Sequence, residues 1–250
     1  MVLTNSLKKF IKSLHAVKYR QKYNKFIAEG PKICKEFISG NKFNIDYIIC
    51  TQDWYEENQT YLNKFEEKTI VCNDKDLKTI SALKTPNKIL IVIDCIYNNL
   101  NTKTLKNGWS YYLDRIQDPG NMGAILRIAD WYGVENVVAS SDSVGYYNPK
   151  VVQSAMGAHN RLSLSYLSRE SLKDINNLNL VALCLDGEPL NNLDKLNNGV
   201  LIIGNESKGI SGLILQHASH KITIPKIGGA ESLNASVACG IVTHVVTSQK

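Results

Sequence analysis

The chain has 250 residues, 44% hydrophobic and 21% charged, which is ordinary globular composition and excludes a disordered chain, a collagen-like repeat or a small disulfide scaffold. The length suits one large domain or two modest ones. Lys and Arg number 29 against 23 Asp and Glu, a net charge of +6, and the excess is concentrated in residues 1–40, where nine basic side chains face only Glu29 and Glu36. A basic segment at one end is what a polyanion-binding surface needs, and it is also what a solvated helix face shows. No apolar run is long enough for a membrane span. The first residues lack the apolar core of a secretion signal, so a cytoplasmic protein is expected.

In chain order, residues 3–39 read as mostly helical, with Leu7, Phe10, Ile11 and Leu14 at three- and four-residue spacing. Residues 25–30 read as a strand ending in glycine. Pro31 suits a first helical position, and Ile33, Cys34, Phe37 and Ile38 supply the next apolar face. Strands are predicted over 45–50, 69–72 and 89–93, and helices over 54–65 and 74–83. This alternation predicts an α/β domain over residues 1–96. The polar, asparagine-rich stretch 97–108 reads as a linker.

A second α/β alternation fills 109–250. Its strands are predicted at 110–113, 136–139, 180–185, 200–203 and 221–224. Its helices are predicted at 123–132, 150–156 and 233–246, with a short one after Gly209. The strands are continuous apolar runs, the pattern of a parallel sheet covered on both faces. The six cysteines form no Cys-x-x-Cys pair, and disulfides are not expected. His217 and His220 have no carboxylate or thiolate beside them, so no metal site is expected.

Parallel α/β sheets bind ligands at the carboxyl ends of their strands, and three such segments stand out. After 110–113 comes an Asp-Pro-Gly-Asn turn at 118–121, then Gly123 and Ala124 opening a helix, with Asn121 at the junction and Arg127 further along. After 200–203 comes Gly204-Asn205-Glu206-Ser207-Lys208-Gly209, whose glycines suggest close backbone approach to a ligand. Its spacing does not fit a phosphate loop. After 221–224 a glycine-bearing loop leads to Ser232-Leu233-Asn234, then to a helix with Ala235, Ala238 and Gly240, small residues that suit very close packing. Each segment alone reads equally as a cap or a tight turn. A Gly-x-Gly-x-x-Gly fingerprint and a Gly-x-Ser-x-Gly elbow are both absent.

Together and in this order, the segments resemble the three signature motifs of the SpoU-type (TrmH-like) RNA ribose 2′-O-methyltransferases. These are Asn-x-Gly-Ala-x-x-Arg at Asn121 to Arg127, Gly-x-Glu-x-x-Gly at Gly204 to Gly209, and Ile224-Pro225 followed by Ser-Leu-Asn-x-Ser-x-Ala from Ser232 to Ala238. Residues 13–30, with Thr85-Pro86, resemble the substrate-binding domain that precedes the catalytic domain in many members. The resemblance implies a C-terminal parallel-sheet domain with a deep trefoil knot behind a small N-terminal α/β RNA-binding domain. It implies a homodimer, S-adenosylmethionine as cofactor, and RNA as substrate, with 23S ribosomal RNA the first expectation and transfer RNA the second.

Carried over by position, the resemblance implies catalytic roles for Arg127, Asn121, Glu206, Ser232 and Asn234. It implies cofactor contacts at Leu183, Gly204, Asn205, Glu206, Gly209, Ile224, Leu233 and Asn234. RNA contacts are expected from Lys18, Arg20, Lys22 and Arg127. Arg127 is either the base, assisted by an RNA phosphate, or a clamp that grips the phosphate and polarises the hydroxyl, because a guanidinium holds its proton at neutral pH. A catalytically silent RNA-binding or ribosome-assembly factor on the same scaffold is the competing reading.

Overall fold

The computed structural model describes every residue except 1, 176, 194, 195, 249 and 250. The chain forms two compact units, Met1–Ile96 with Gly145–Asn160, and Tyr97–Val144 with Arg161–Lys250. Residues 145–160, grouped by the sequence with the second domain, pack within the first unit. Residues 97–108, read as a linker, pack within the second, where Leu105 is fully buried.

The first unit is built on a four-stranded sheet of order β1-β4-β2-β3, with β1 at Lys25–Glu29, β2 at Ile45–Thr51, β3 at Thr69–Cys72 and β4 at Ile89–Asp94. β4 runs antiparallel to both its neighbours, and β2 and β3 are parallel. Side chains alternate across a strand, which sorts the core into two layers. Ile27, Ile49, Leu90 and Val92 face a cluster that includes Ile11 and Leu14, and Leu77 and Ile80. Ile11 lies on α1 (Asn5–Ser13) and Leu14 just beyond it, before α2 (Val17–Tyr23), while Leu77 and Ile80 lie on α6 (Asp74–Ile80).

On the other face Phe26 packs with Phe37 of α3 (Pro31–Ser39) and stacks on Tyr147 at 4.5 Å. Gly30 caps α3 with φ +88°, a conformation that only glycine adopts at little cost. The predicted helix over 54–65 is broken into α4 (Gln52–Glu57), α5 (Gln59–Leu62) and a 3₁₀ turn. The break lies at Asn58, whose backbone leaves helical geometry while its buried side chain donates to the Trp54 carbonyl at 2.8 Å. α6 follows at Asp74–Ile80.

The second unit carries a six-stranded sheet, every pair parallel, in the order β10-β8-β9-β5-β6-β7. Its strands are β5 (Trp109–Asp114), β6 (Asn136–Ala139), β7 (Ser163–Tyr166), β8 (Leu180–Pro189), β9 (Gly199–Gly204) and β10 (His220–Thr223). β7 is not among the strands expected from the sequence; it is a four-residue edge strand whose two serines break the apolar run. Helices α7 (Pro119–Tyr132), α9 (Arg169–Lys173), α10 (Gly212–His217) and α11 (Ala235–Ser248) belong to this unit, and α8 (Pro149–Ala155) to the first.

Both faces of the sheet are covered, as continuous apolar strands require. Tyr112 points into a cluster with Leu172 and Ile214, from α9 and α10. Its neighbour Tyr111 points the other way and shares a 2.6 Å hydrogen bond with Thr243 of α11, which packs against α7. A β-carbon at Gly240 would meet Ile128 at an ordinary 3.6 Å, so this close packing does not depend on that glycine. No helix among the described residues is long and apolar enough to cross a membrane.

Candidate active site

The three singled-out segments converge at the carboxyl end of the parallel sheet. α7 begins at Pro119 rather than Gly123, because Asp118 caps it and accepts the Asn121 amide N–H at 2.8 Å. Asn121 therefore lies inside the first turn, buried, with its side chain fixed. Its Nδ2 donates to Glu206 Oε1 at 2.5 Å, and its Oδ1 accepts from Asn234 Nδ2 at 2.8 Å. A carboxylate only accepts, so Glu206 dictates which end of the Asn121 amide faces it, and the remaining oxygen receives Asn234. Asn234 Oδ1 in turn accepts the backbone N–H of Ser236 at 2.9 Å and of Val237 at 3.3 Å. The cap of α11 is thus Asn234, and the helix starts at Ala235 rather than Leu233.

The β9 loop is held by its own backbone. Asn205 and Gly209 exchange two hydrogen bonds at 3.1 and 2.9 Å, and Asn205 Oδ1 accepts from the N–H groups of Ser207 and Lys208. A β-carbon at Gly204 would sit 2.5 Å from the Gly209 carbonyl carbon, so only glycine fits there.

Beside this loop lies a cavity of about 620 Å³ walled by the middle of β8 and by the segments that follow β9 and β10. Leu183, Gly204, Asn205, Glu206 and Gly209 line it, as do Ile224, Ser232 and Leu233. Asn121 and Asn234 stand behind its wall. Residues not singled out from the sequence also line it, among them Leu185, Pro225 and Ala238. Small and apolar side chains at strand ends are the signal that could have found them.

Other expected site residues lie elsewhere. Arg127 is exposed on α7, and its side chain makes no hydrogen bond or ion pair among the described residues. Six residues beyond Asn121, it is about 9 Å along the helix and about 120° around it. Lys18 and Lys22 are exposed on α2, with their ammonium groups 5.9 and 5.3 Å from the rings of Tyr19 and Tyr23. Arg20, between them, is not on that surface. It is buried and donates to the carbonyls of Leu14 at 3.0 Å and His15 at 2.7 Å, holding the turn between α1 and α2. Among the described residues no group of three or more His, Cys, Asp or Glu could hold a metal.

A profile of the SpoU rRNA methylase family matches residues 110–244. The chain belongs to that family. The C-terminal knot expected from the resemblance is accordingly part of its fold, as in the SpoU-family structures it superimposes on. Residues 5–91 match an MRM3-like substrate-binding domain. A relative from Bacillus subtilis, the 23S rRNA (guanosine(2553)-2′-O)-methyltransferase RlmP, is 26% identical over 93% of this chain and 92% of its own length. A TrmH-family structure from Porphyromonas gingivalis is 28% identical with a TM-score of 0.86 and covers 99% of both chains. The SpoU methyltransferase AviRb from Streptomyces viridochromogenes, solved with AdoMet, has the same fold at 20% identity, with a TM-score of 0.86 over 98% of each chain.

Proposed function

We propose that this SpoU-family protein methylates a ribose 2′-hydroxyl in RNA, with 23S ribosomal RNA as its target class and S-adenosylmethionine as donor. The observation that carries the reading is the Glu206–Asn121–Asn234 chain, which ties all three motif segments together at the wall of the cavity. The residues present fit the cofactor. The cavity has apolar walls at Leu183, Ile224 and Leu233, and at Gly204 only bare backbone can be accommodated. The cofactor, when bound, supplies a methyl group activated by its sulfonium charge.

The rest is work for the chain's own residues. The loops at Gly204–Gly209 and Ile224–Leu233 enclose the donor. Arg127 grips the RNA phosphate or takes the hydroxyl proton, and Ser232 orients the ribose. Holding the reacting groups in line is worth roughly 7–11 kcal/mol. The first unit engages RNA through Lys18 and Lys22 and the second carries the chemistry, in the cytoplasm. The protein acts as a homodimer, a reading supported by Leu233, Val237 and Ile241, which repeat every fourth residue and stay exposed.

The test is transfer of labelled methyl from S-adenosylmethionine to unmodified total RNA, followed by mass spectrometry of the digested nucleosides, with Arg127→Ala in parallel. A 2′-O-methylnucleoside made by the wild type alone is the expected result. No transfer to any RNA, with RNA still bound tightly, would turn the reading to the silent assembly factor.

A further inference from the structure

We propose that Arg169, acting through Asp114, is a positioning residue that sets the β9 loop and thereby the affinity for the cofactor. The inference rests on the methyltransferase reading for its ligand, but not for its geometry. Asp114 ends β5 with no solvent exposure. One of its oxygens accepts Arg169 Nε at 2.6 Å, and the other accepts the backbone N–H of Ser211, just past the β9 loop, at 2.7 Å. The Arg169 NH2 group bonds both oxygens of Asp142 at 2.8 Å, so the guanidinium is held in a fork between two carboxylates.

The next residue adds two more attachments. Arg115 has φ +60°, an unfavourable conformation for a residue with a β-carbon. In that conformation its carbonyl accepts Asn205 Nδ2 at 2.8 Å, and its own guanidinium donates to the Gly209 carbonyl at 3.3 Å. The Asp114–Arg115 pair therefore fastens the loop at Asn205, Gly209 and Ser211, the segment that carries the second motif.

Neither Asp114 nor Arg169 lines the cavity, so their effect on a ligand is indirect. A buried carboxylate stripped of its cation must take up a proton or draw in water, and either change weakens its hold on Ser211. Arg115 Nε lies 3.7 Å from the same Asp114 oxygen. It cannot replace Arg169 without moving, and movement would release Gly209.

The experiment compares Arg169→Met, Arg169→Lys and the wild type by two readouts. Amide hydrogen exchange over residues 204–211, without cofactor, reads the loop directly. Calorimetric titration with S-adenosylmethionine reads its consequence. Arg169→Met is expected to speed exchange in that segment and raise Kd at least about tenfold, with RNA affinity within about twofold of wild type. Arg169→Lys, which keeps the charge but not the fork, should recover part of both losses. A purely structural role would lower stability without a selective change in this loop. A folded Arg169→Met with wild-type exchange and wild-type Kd would overturn the proposal. If Arg169→Met does not fold, unchanged exchange and Kd in Arg169→Lys would overturn it instead. If the wild type itself fails to bind S-adenosylmethionine, the methyltransferase reading falls, and the exchange data still decide whether Arg169 sets the loop.

Discussion

The Asn121 amide and the Glu206 carboxylate meet at 2.5 Å across 85 positions of sequence. The contact has a fixed polarity, donor to acceptor, and that polarity can be reversed. Asn121→Asp removes the donor and places two carboxylates together, while leaving an acceptor for Asn234. Methyl transfer should fall by about 10- to 100-fold. Adding Glu206→Gln supplies a donor from the other side and should restore part of the loss. Rates for the two single variants and the double variant, read as a mutant cycle, check this.

Gly204→Ala should damage the site through backbone alone. Its new β-carbon would lie 2.5 Å from the Gly209 carbonyl carbon, where no side chain can yield. The Asn205–Gly209 bridge must open. A decrease of about 1–3 kcal/mol in stability is expected, together with loss of cofactor binding. Urea unfolding and calorimetry measure the two effects on one preparation.

Arg127 should separate function from folding. It is exposed and unpaired among the described residues, so its replacement should leave stability within about 0.5 kcal/mol. Both roles considered for it predict severe loss of turnover in Arg127→Lys as well as Arg127→Ala, because a lysine neither shares the fork geometry nor grips phosphate bidentately. Near-wild-type turnover in the lysine variant would remove Arg127 from the chemistry.

The three basic residues of α2 should divide into two groups. Lys18→Ala with Lys22→Ala should weaken RNA binding. The slope of log affinity against log salt should become shallower by up to about 0.7 for each single-strand phosphate that is no longer neutralised. Arg20→Ala should instead destabilise the first unit by about 1–3 kcal/mol, since the Leu14 and His15 carbonyls are left without their donor. Salt-dependent binding isotherms beside thermal melts distinguish these outcomes.

Stability should fall in mild acid because of His159. Burial among Phe26, Phe37 and Tyr147 holds its pKa down to about 4 from an ordinary 6.5. Above pH 6.5 it is neutral in both folded and unfolded chains. As the pH drops from 6.5 to 4 the unfolded chain takes up a proton that the fold does not, at a cost of roughly 3 kcal/mol in all. Urea midpoints across pH 4–7 should slope less in His159→Phe than in the wild type.

Most strands of the two sheets are legible in the sequence because they carry apolar runs, and a run such as Ile89–Ile93 has few alternatives. β7 is not, because Ser-Leu-Ser-Tyr carries too little apolar signal for a four-residue edge strand. The start of α7 is expected too late, at Gly123, because the proline at its first turn reads as part of a loop, although Asp118 caps it. The motif residues are visible, but their linkage is not. No spacing rule joins Asn121 to Asn234, or Asp114 to Arg169 at 55 positions' distance. Arg20 shows the same limit, since a basic residue flanked by lysines reads as surface until the carbonyls it serves are seen.

The excursion of residues 145–160 bears on how such a protein can be re-targeted. Tyr147, Val151, Val152 and Ala155 are buried, and α8 lies against β1. A new first unit could not be grafted by exchanging residues 1–96 alone, because the donor sheet would meet a foreign segment 145–160 where Phe26 now stacks on Tyr147. Two segments would have to travel together. The first unit of such a chain is therefore discontinuous in sequence, and a chimera joined at a single crossover near residue 96 would lose the Phe26–Tyr147 stack.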